Sequence, residues 1–248
     1  MRVTQAGVFA PRTVHAAGVA CFLLAGVAMI PPLLLRGAPL AALLVASCAA
    51  GYFYTGGPYP YGYRGLGDLA VFLFFGFVAT GGVRHVHRGG DDWMDGDAAI
   101  ASAQVGCLAA ALIAINNLRD ARTDAEVGKR TLPVVFGETF GRWEITALVC
   151  APFALNAYWA ATRRDADDAR AGSFSRAAAL TSATAPFAAH VARRAWTYDV
   201  ASPEFNRVMS VAAALHLAFG ALLAVGVVLD AGVAPFELMN RRVEPFES

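Results

Sequence analysis

Charge is scarce in this chain. Only 16% of its 248 residues are Asp, Glu, Lys or Arg, against roughly 25% in a soluble domain. With 57% apolar residues and a mean hydropathy of +0.48, a water-soluble globule is excluded. Lysine is almost absent: Lys129 stands alone beside 19 arginines, a bias that fits a GC-rich genome. The formal charge of +1 creates no global field to draw a nucleic acid. Cysteine is sparse too. Cys21, Cys48, Cys107 and Cys150 all lie in apolar stretches and none forms a CxxC pair. They read as small buried thiols, not as a disulfide framework or a thiolate metal site. Residues 1–18 hold two arginines but no apolar core, so no signal peptide is expected there.

What the chain has in abundance is long apolar runs. A spanning helix needs about 20 mostly apolar residues. Seven segments qualify as candidates: 14–35, 38–54, 66–83, 98–118, 143–162, 175–192 and 207–230. The sixth is short and rich in Ser and Thr. Pro31-Pro32 predicts a bend or an end in the first, because proline lacks the amide donor. The expected fold is all-α, a single polytopic bundle over 1–248 with its apolar faces in a lipid bilayer. Counting crossings puts loops 55–65, 119–142 and 193–206 on one face and loops 84–97 and 163–174 on the other. The first face holds 11 basic residues and the second 9. That bias leans only weakly towards a cytoplasmic first face.

The chemistry concentrates in residues 116–137, NNLRDARTDAEVGKRTLPVVFG. If the helix from Ile100 runs on past Asn117, then Asn117, Asp120 and Asp124 share a face at i, i+3 and i+7. The two carboxylates would lie about 6 Å apart along the axis. Such oxygen ligands suit a hard cation, and Mg²⁺ is usually held by one or two carboxylates plus substrate phosphates. Lys129 and Arg130 would meet the phosphate oxygens. Carboxylates, amides and a basic pair at a membrane edge suit a lipid diphosphate. A charged loop with incidental carboxylates would show the same spacing.

The run resembles the second Asp-rich motif of the UbiA superfamily of membrane prenyltransferases. It is most similar to the 1,4-dihydroxy-2-naphthoate polyprenyltransferase (MenA) family, which reads NNxRDxxxDxxxGKxTL there. YTGGPYPYGYRGLGDLAVFLFFG resembles that family's preceding loop and helix, and FNRVMSVAAALHLAFGALLAVG its last helix. The resemblance implies that Asp120 and Asp124 bind Mg²⁺ bridged to a diphosphate, with Asn116 or Asn117 assisting. It implies that Arg119, Lys129 and Arg130 hold the diphosphate. Tyr61, Tyr63 and Arg64 would line a polar cap, and Asp68 would face the aromatic acceptor. The implied reaction is transfer of an isoprenoid chain from a prenyl diphosphate to the naphthoate, with loss of CO₂, in menaquinone or phylloquinone synthesis. The implied location is a bacterial inner membrane, with a plastid membrane as the alternative.

The superfamily has nine helices and a first motif, NDxxDxxxD, before its third. Seven segments and no such motif are found here. The expectation is a chain lacking the first two helices and half the metal site. Two alternatives stay open: a related enzyme with another aromatic acceptor, and an inactive or structural membrane protein. Asp91-Asp92-Trp93-Met94-Asp95 spells DDxxD, but the crossing count puts it across the bilayer from Asp120, about 30 Å away. It reads as a solvated loop. His85 and His87 beside it have the HxH spacing of a metal pair, but the same topology separates them from the site, and His190 and His216 read as packing residues. Gly128-Lys129-Arg130-Thr131 is not a phosphate loop, because the glycine needed five residues earlier is Thr123.

Overall fold

A computed structural model describes residues 7–89, 93–163 and 175–230. Among them the regular structure is helical: α1 (Pro11–Ala28), α2 (Ile30–Thr55), α3 (Gly67–Arg88), α4 (Gly96–Glu126), a short α5 (Leu132–Phe136), α6 (Glu138–Arg163), α7 (Ser175–Ser182), α8 (Ala185–Thr197) and α9 (Phe205–Asp230). A single 3₁₀ turn, Tyr61–Tyr63, precedes α3. α1, α2, α3, α4 and α9 are long and apolar enough to cross a membrane. The result is a polytopic helical membrane bundle, as the composition requires.

The departures from the seven segments have local causes. The first break falls at Met29, which places Pro31 in the first turn of α2, where a missing amide costs nothing. A second kink lies at Gly37, φ +66°, a conformation glycine tolerates best. The apolar run 175–192 divides into α7 and α8. Pro186 sits in the first turn of α8, and Thr184 returns its hydroxyl to the Thr181 carbonyl at 2.7 Å. Over Phe72–Val78, α3 widens into π turns. There Gly76 packs on α4 so closely that an added Cβ would sit 2.6 Å from the Ser102 carbonyl and 3.0 Å from Gly106 Cα. Small residues that let backbones touch are how helices associate in lipid, where no hydrophobic force drives them together.

α4 is the axis of the bundle. Leu108, Ala111, Ala114, Ile115 and Leu118 on it pack with Ile145 and Val149 of α6, Val191 of α8 and Phe205, Leu215 and Phe219 of α9. A buried polar chain ties the same helices. Gln104 donates to the Pro152 carbonyl (3.0 Å) and to Asn156 (2.7 Å), and Asn156 donates to Thr181 (2.9 Å). α1 has no buried residue.

The ends of α4 are 30 residues apart, about 45 Å. Asp95 caps its start, accepting from the Ala98 amide at 2.8 Å and from Arg84 at 2.6 Å. Asp91 and Asp92 lie outside the described residues. Of the histidines in loop 84–97, His85 is buried and stacked on Trp93 at 3.9 Å. At the other end of α4 the three loops assigned to one face do meet. The Arg130 amide donates to the Tyr63 carbonyl at 2.8 Å. Arg142 donates to the Ala195 carbonyl and, at 3.1 Å, to that of Tyr198.

Candidate active site

α4 continues unbroken to Glu126, so Asn117, Asp120 and Asp124 do share a face. Its termination organises the site. Val127 leaves the helix and Gly128 takes φ +73°. The Gly128 amide then donates to the Ala125 carbonyl (3.1 Å) and the Lys129 amide to that of Asp124 (2.9 Å). This double return is the Schellman cap, which needs a left-handed residue and takes glycine. It folds Lys129 back along the helix, and Lys129 Nζ pairs with Asp124 Oδ2 at 2.8 Å. Both side chains are largely buried, at 15% and 9% exposure. One turn earlier Arg119 grips both oxygens of Asp120, at 2.8 and 2.9 Å, and donates to Asn116 at 2.5 Å.

α3 supplies the opposite wall. Asp68 is 5% exposed, and Asn117 Nδ2 lies 3.1 Å from each of its oxygens. Lys129 is near enough to act on the Asp68 charge. Glu144 of α6 also interacts with that charge, and one of its carboxyl oxygens is buried without a partner. Three elements thus bring Asp68, Asn117, Asp124, Lys129 and Glu144 together.

The loop before α3 closes the site from above. Tyr63 contributes its carbonyl to Arg130, while the Arg130 side chain is exposed. Gly65, at φ +79°, lets the two loops approach: a Cβ there would lie 3.2 Å from the Arg130 carbonyl. Tyr61 donates its hydroxyl to the Ala50 carbonyl at 2.7 Å, and burial raises its pKa above the ordinary phenol value. Arg64 stands at the rim, its guanidinium 4.7 Å over the Tyr59 ring.

Beneath this cap lies an apolar cavity of about 400 Å³ between α2 and α3. Gly51, Tyr54, Tyr61, Val71, Phe74 and Phe75 line it. Phe74 and Phe75 of the aromatic run in α3 face it. Phe72 and Phe77 instead pack edge-to-face on each other at 5.5 Å. Tyr54 joins cavity and site, because its hydroxyl reaches within 3.0 Å of where a Gly67 Cβ would stand.

The donors suit a hard divalent cation in part. Asp120 and Asp124 offer oxygen donors one turn apart. Among the described residues no group of three or more His, Cys, Asp or Glu is placed to hold a metal. The remaining ligands would have to come from a phosphate-bearing substrate, as is usual for Mg²⁺. Each carboxylate holds a cationic side chain.

Sequence reasoning missed Tyr54 and Glu144. A lone acid inside the candidate span 143–162 was the available signal for Glu144. Tyr54 had none, since an aromatic at the end of an apolar run is ordinary.

The chain resembles several known proteins. The chain is 36% identical over 152 residues to a Mycobacterium leprae protein named 1,4-dihydroxy-2-naphthoate octaprenyltransferase, covering 61% of this chain and 50% of that one. It is 35% identical over 180 residues to the Mycobacterium tuberculosis protein of the same name, covering 63% and 60%. A Haemophilus influenzae protein of that name is 40% identical over 102 residues, covering 41% and 32%. The chain thus spans about half the length of the relatives it matches. No solved structure matches it significantly. The sequence pattern of the UbiA prenyltransferase family matches residues 1–164, a stretch holding Asp68, Asp120, Asp124 and the lysine folded back on Asp124: the chain belongs to that family.

Proposed function

We propose that this chain, as one integral-membrane domain over 1–248, transfers an isoprenoid chain from a prenyl diphosphate to 1,4-dihydroxy-2-naphthoate. The observation that carries this reading is the C-terminal end of α4. Two carboxylates one turn apart are each gripped by a cation, and Tyr54, which interacts with Asp68, lines an apolar cavity of about 400 Å³. The names of the relatives support the acceptor. Their bacterial sources support a plasma membrane.

The diphosphate would lie at the α4 terminus with its chain in the cavity against Phe74 and Phe75. Mg²⁺, held by Asp120 and Asp124 with the phosphate oxygens, would neutralise the departing diphosphate. Arg119 and Lys129 would turn from their carboxylates to the same oxygens, where Arg130 can join them. Positively charged groups aimed at developing negative charge lower the barrier without later reorganisation. Asn116 positions Arg119. The allylic C–O bond breaks and the diphosphate leaves with the electron pair. The ring carbon bearing the carboxylate attacks the allylic carbon. The ring–carboxylate bond then breaks, its electrons return to the ring, and CO₂ leaves.

Asp68 would accept a hydrogen bond from the acceptor's ring hydroxyl. Asn117 holds that carboxylate in one orientation. Tyr61, Tyr63 and Arg64 close the loop over the site and exclude water.

The test is incubation of the protein in lipid nanodiscs with farnesyl diphosphate, Mg²⁺ and either the naphthoate or 4-hydroxybenzoate. A prenylated naphthoquinol lacking the carboxyl group is expected. Product from 4-hydroxybenzoate alone would overturn the acceptor assignment. Product from neither would overturn the transferase.

A further inference from the structure

A second cavity, of about 170 Å³, lies between α8 and α9. His190, Arg194, Tyr198 and Arg207 line it, with Val191 and Val208 at its base. No carboxylate lines it, so it holds two guanidinium groups and no opposite charge. Arg194 Nε is buried with no hydrogen-bond partner, although a buried donor left unmade is costly. The guanidinium lies 4.6 Å over the Tyr198 ring. The ring face covers one side of the guanidinium, and the unpartnered Nε–H remains a donor for an acceptor. Neither Arg194 nor Arg207 makes a side-chain ion pair among the described residues.

The surroundings give the depth of this cavity in the bilayer. Two residues after Arg194, Trp196 stacks edge-to-face on Trp143 at 5.0 Å and donates to Thr146 at 3.0 Å. Both indoles are exposed. Exposed tryptophans at a helix end mark the headgroup level of a membrane. The cavity is small and polar, with no apolar extension for a prenyl chain. None of its lining residues belongs to the proposed diphosphate site, although Arg119 of that site donates to Asn206, next to Arg207, at 3.4 Å.

We propose that the α8–α9 cavity binds a phosphate oxyanion, with Arg194 and Arg207 as its cationic ligands and His190 and Tyr198 completing the lining. The fork geometry of arginine matches phosphate oxygens. The oxyanion comes either from the headgroup of an anionic phospholipid or from free phosphate.

Native mass spectrometry of the protein released from nanodiscs of mixed phosphatidylglycerol and phosphatidylcholine reads the first source. Calorimetric titration with inorganic phosphate, in phosphatidylcholine alone, reads the second. Arg207→Gln is the milder variant, since Arg207 is exposed, and Arg194→Gln is its partner. Both are checked by thermal unfolding. For a lipid ligand, wild type retains phosphatidylglycerol over phosphatidylcholine and each variant loses that preference at least 10-fold. For free phosphate, the variants lose the binding heat while lipid retention is unselective. Wild-type behaviour of folded Arg207→Gln and Arg194→Gln in both arms overturns the site, and so does a wild type that binds neither.

Discussion

Asn117 Nδ2 sits 3.1 Å from both carboxylate oxygens of Asp68, across 49 residues of sequence and between two helices. It is the only side-chain hydrogen bond given to that buried carboxylate among the described residues. Replacing Asn117 by Leu leaves Asp68 with its backbone-amide hydrogen bond but without a side-chain donor, at about 1–3 kcal/mol for a lost buried hydrogen bond to a charged group. The variant should melt several degrees lower in detergent. Asn117→Asp should be worse, because it sets a second negative charge against Asp68. A thermal unfolding series measures both. Equal melting of Asn117→Asp and wild type would remove Asp68–Asn117 from the account.

Gly128 carries the return of Lys129 to Asp124. Gly128→Ala forces a Cβ into φ +73°, at roughly 1–2 kcal/mol. Its neighbourhood is open space, so backbone strain alone acts. Prenyl diphosphate affinity should fall with helicity intact. Lys129→Ala should lower affinity by about tenfold, the equivalent of 1.4 kcal/mol. The double variant Lys129→Ala/Asp124→Asn should lose less than the sum of the singles, since the two side chains form one pair. Titration with farnesyl diphosphate and Mg²⁺ measures each.

At the far end of α4, Asp95 is expected to matter for stability only. Burial raises its pKa, but the Ala98 amide and Arg84 more than offset this and hold it below the usual aspartate range. A folded-state pKa below the unfolded value means stability present above the unfolded pKa and lost as pH falls through the folded one. Asp95→Ala should therefore cost about 0.5–2 kcal/mol as a lost N-cap, and that cost should vanish in strong acid. Diphosphate binding by this variant should match wild type. A melting series against pH, run beside the binding titration, checks both.

Much of this was written in the residues, and the rest was not for identifiable reasons. The spacing of Asn117, Asp120 and Asp124 puts them on one face only if the helix outruns its apolar stretch, and α4 does so to Glu126, past the expected end at 118 and into the expected loop 119–142. The Gly-Lys step after it encoded the cap. What spacing could not supply was pairing. Lys129 and Arg119 were read as phosphate ligands, and without substrate they hold Asp124 and Asp120. Asp68 meets Asn117, and Glu144 senses Asp68, only because α3, α4 and α6 converge. The division of 175–192 was legible in Pro186 and in the Ser and Thr residues just before it.

Close packing of α3 on α4 sets the Asp68–Asn117 distance. Gly76→Val would drive a side chain into the Ser102 carbonyl and Gly106. It should destabilise the bundle by about 1–3 kcal/mol or more through overpacking, and weaken transfer through the displaced Asp68. Wild-type melting in Gly76→Val would contradict the contact.

The central claim is that Asp120 and Asp124, on one face of α4, bind a prenyl diphosphate through a divalent cation. Calorimetric titration of the protein in nanodiscs with farnesyl diphosphate, with and without Mg²⁺, tests it most directly. The account predicts binding that requires Mg²⁺ and is weakened at least 100-fold in Asp120→Ala and in Asp124→Ala, with helicity unchanged by circular dichroism. Binding of equal strength without Mg²⁺, or undiminished in both variants, would contradict it.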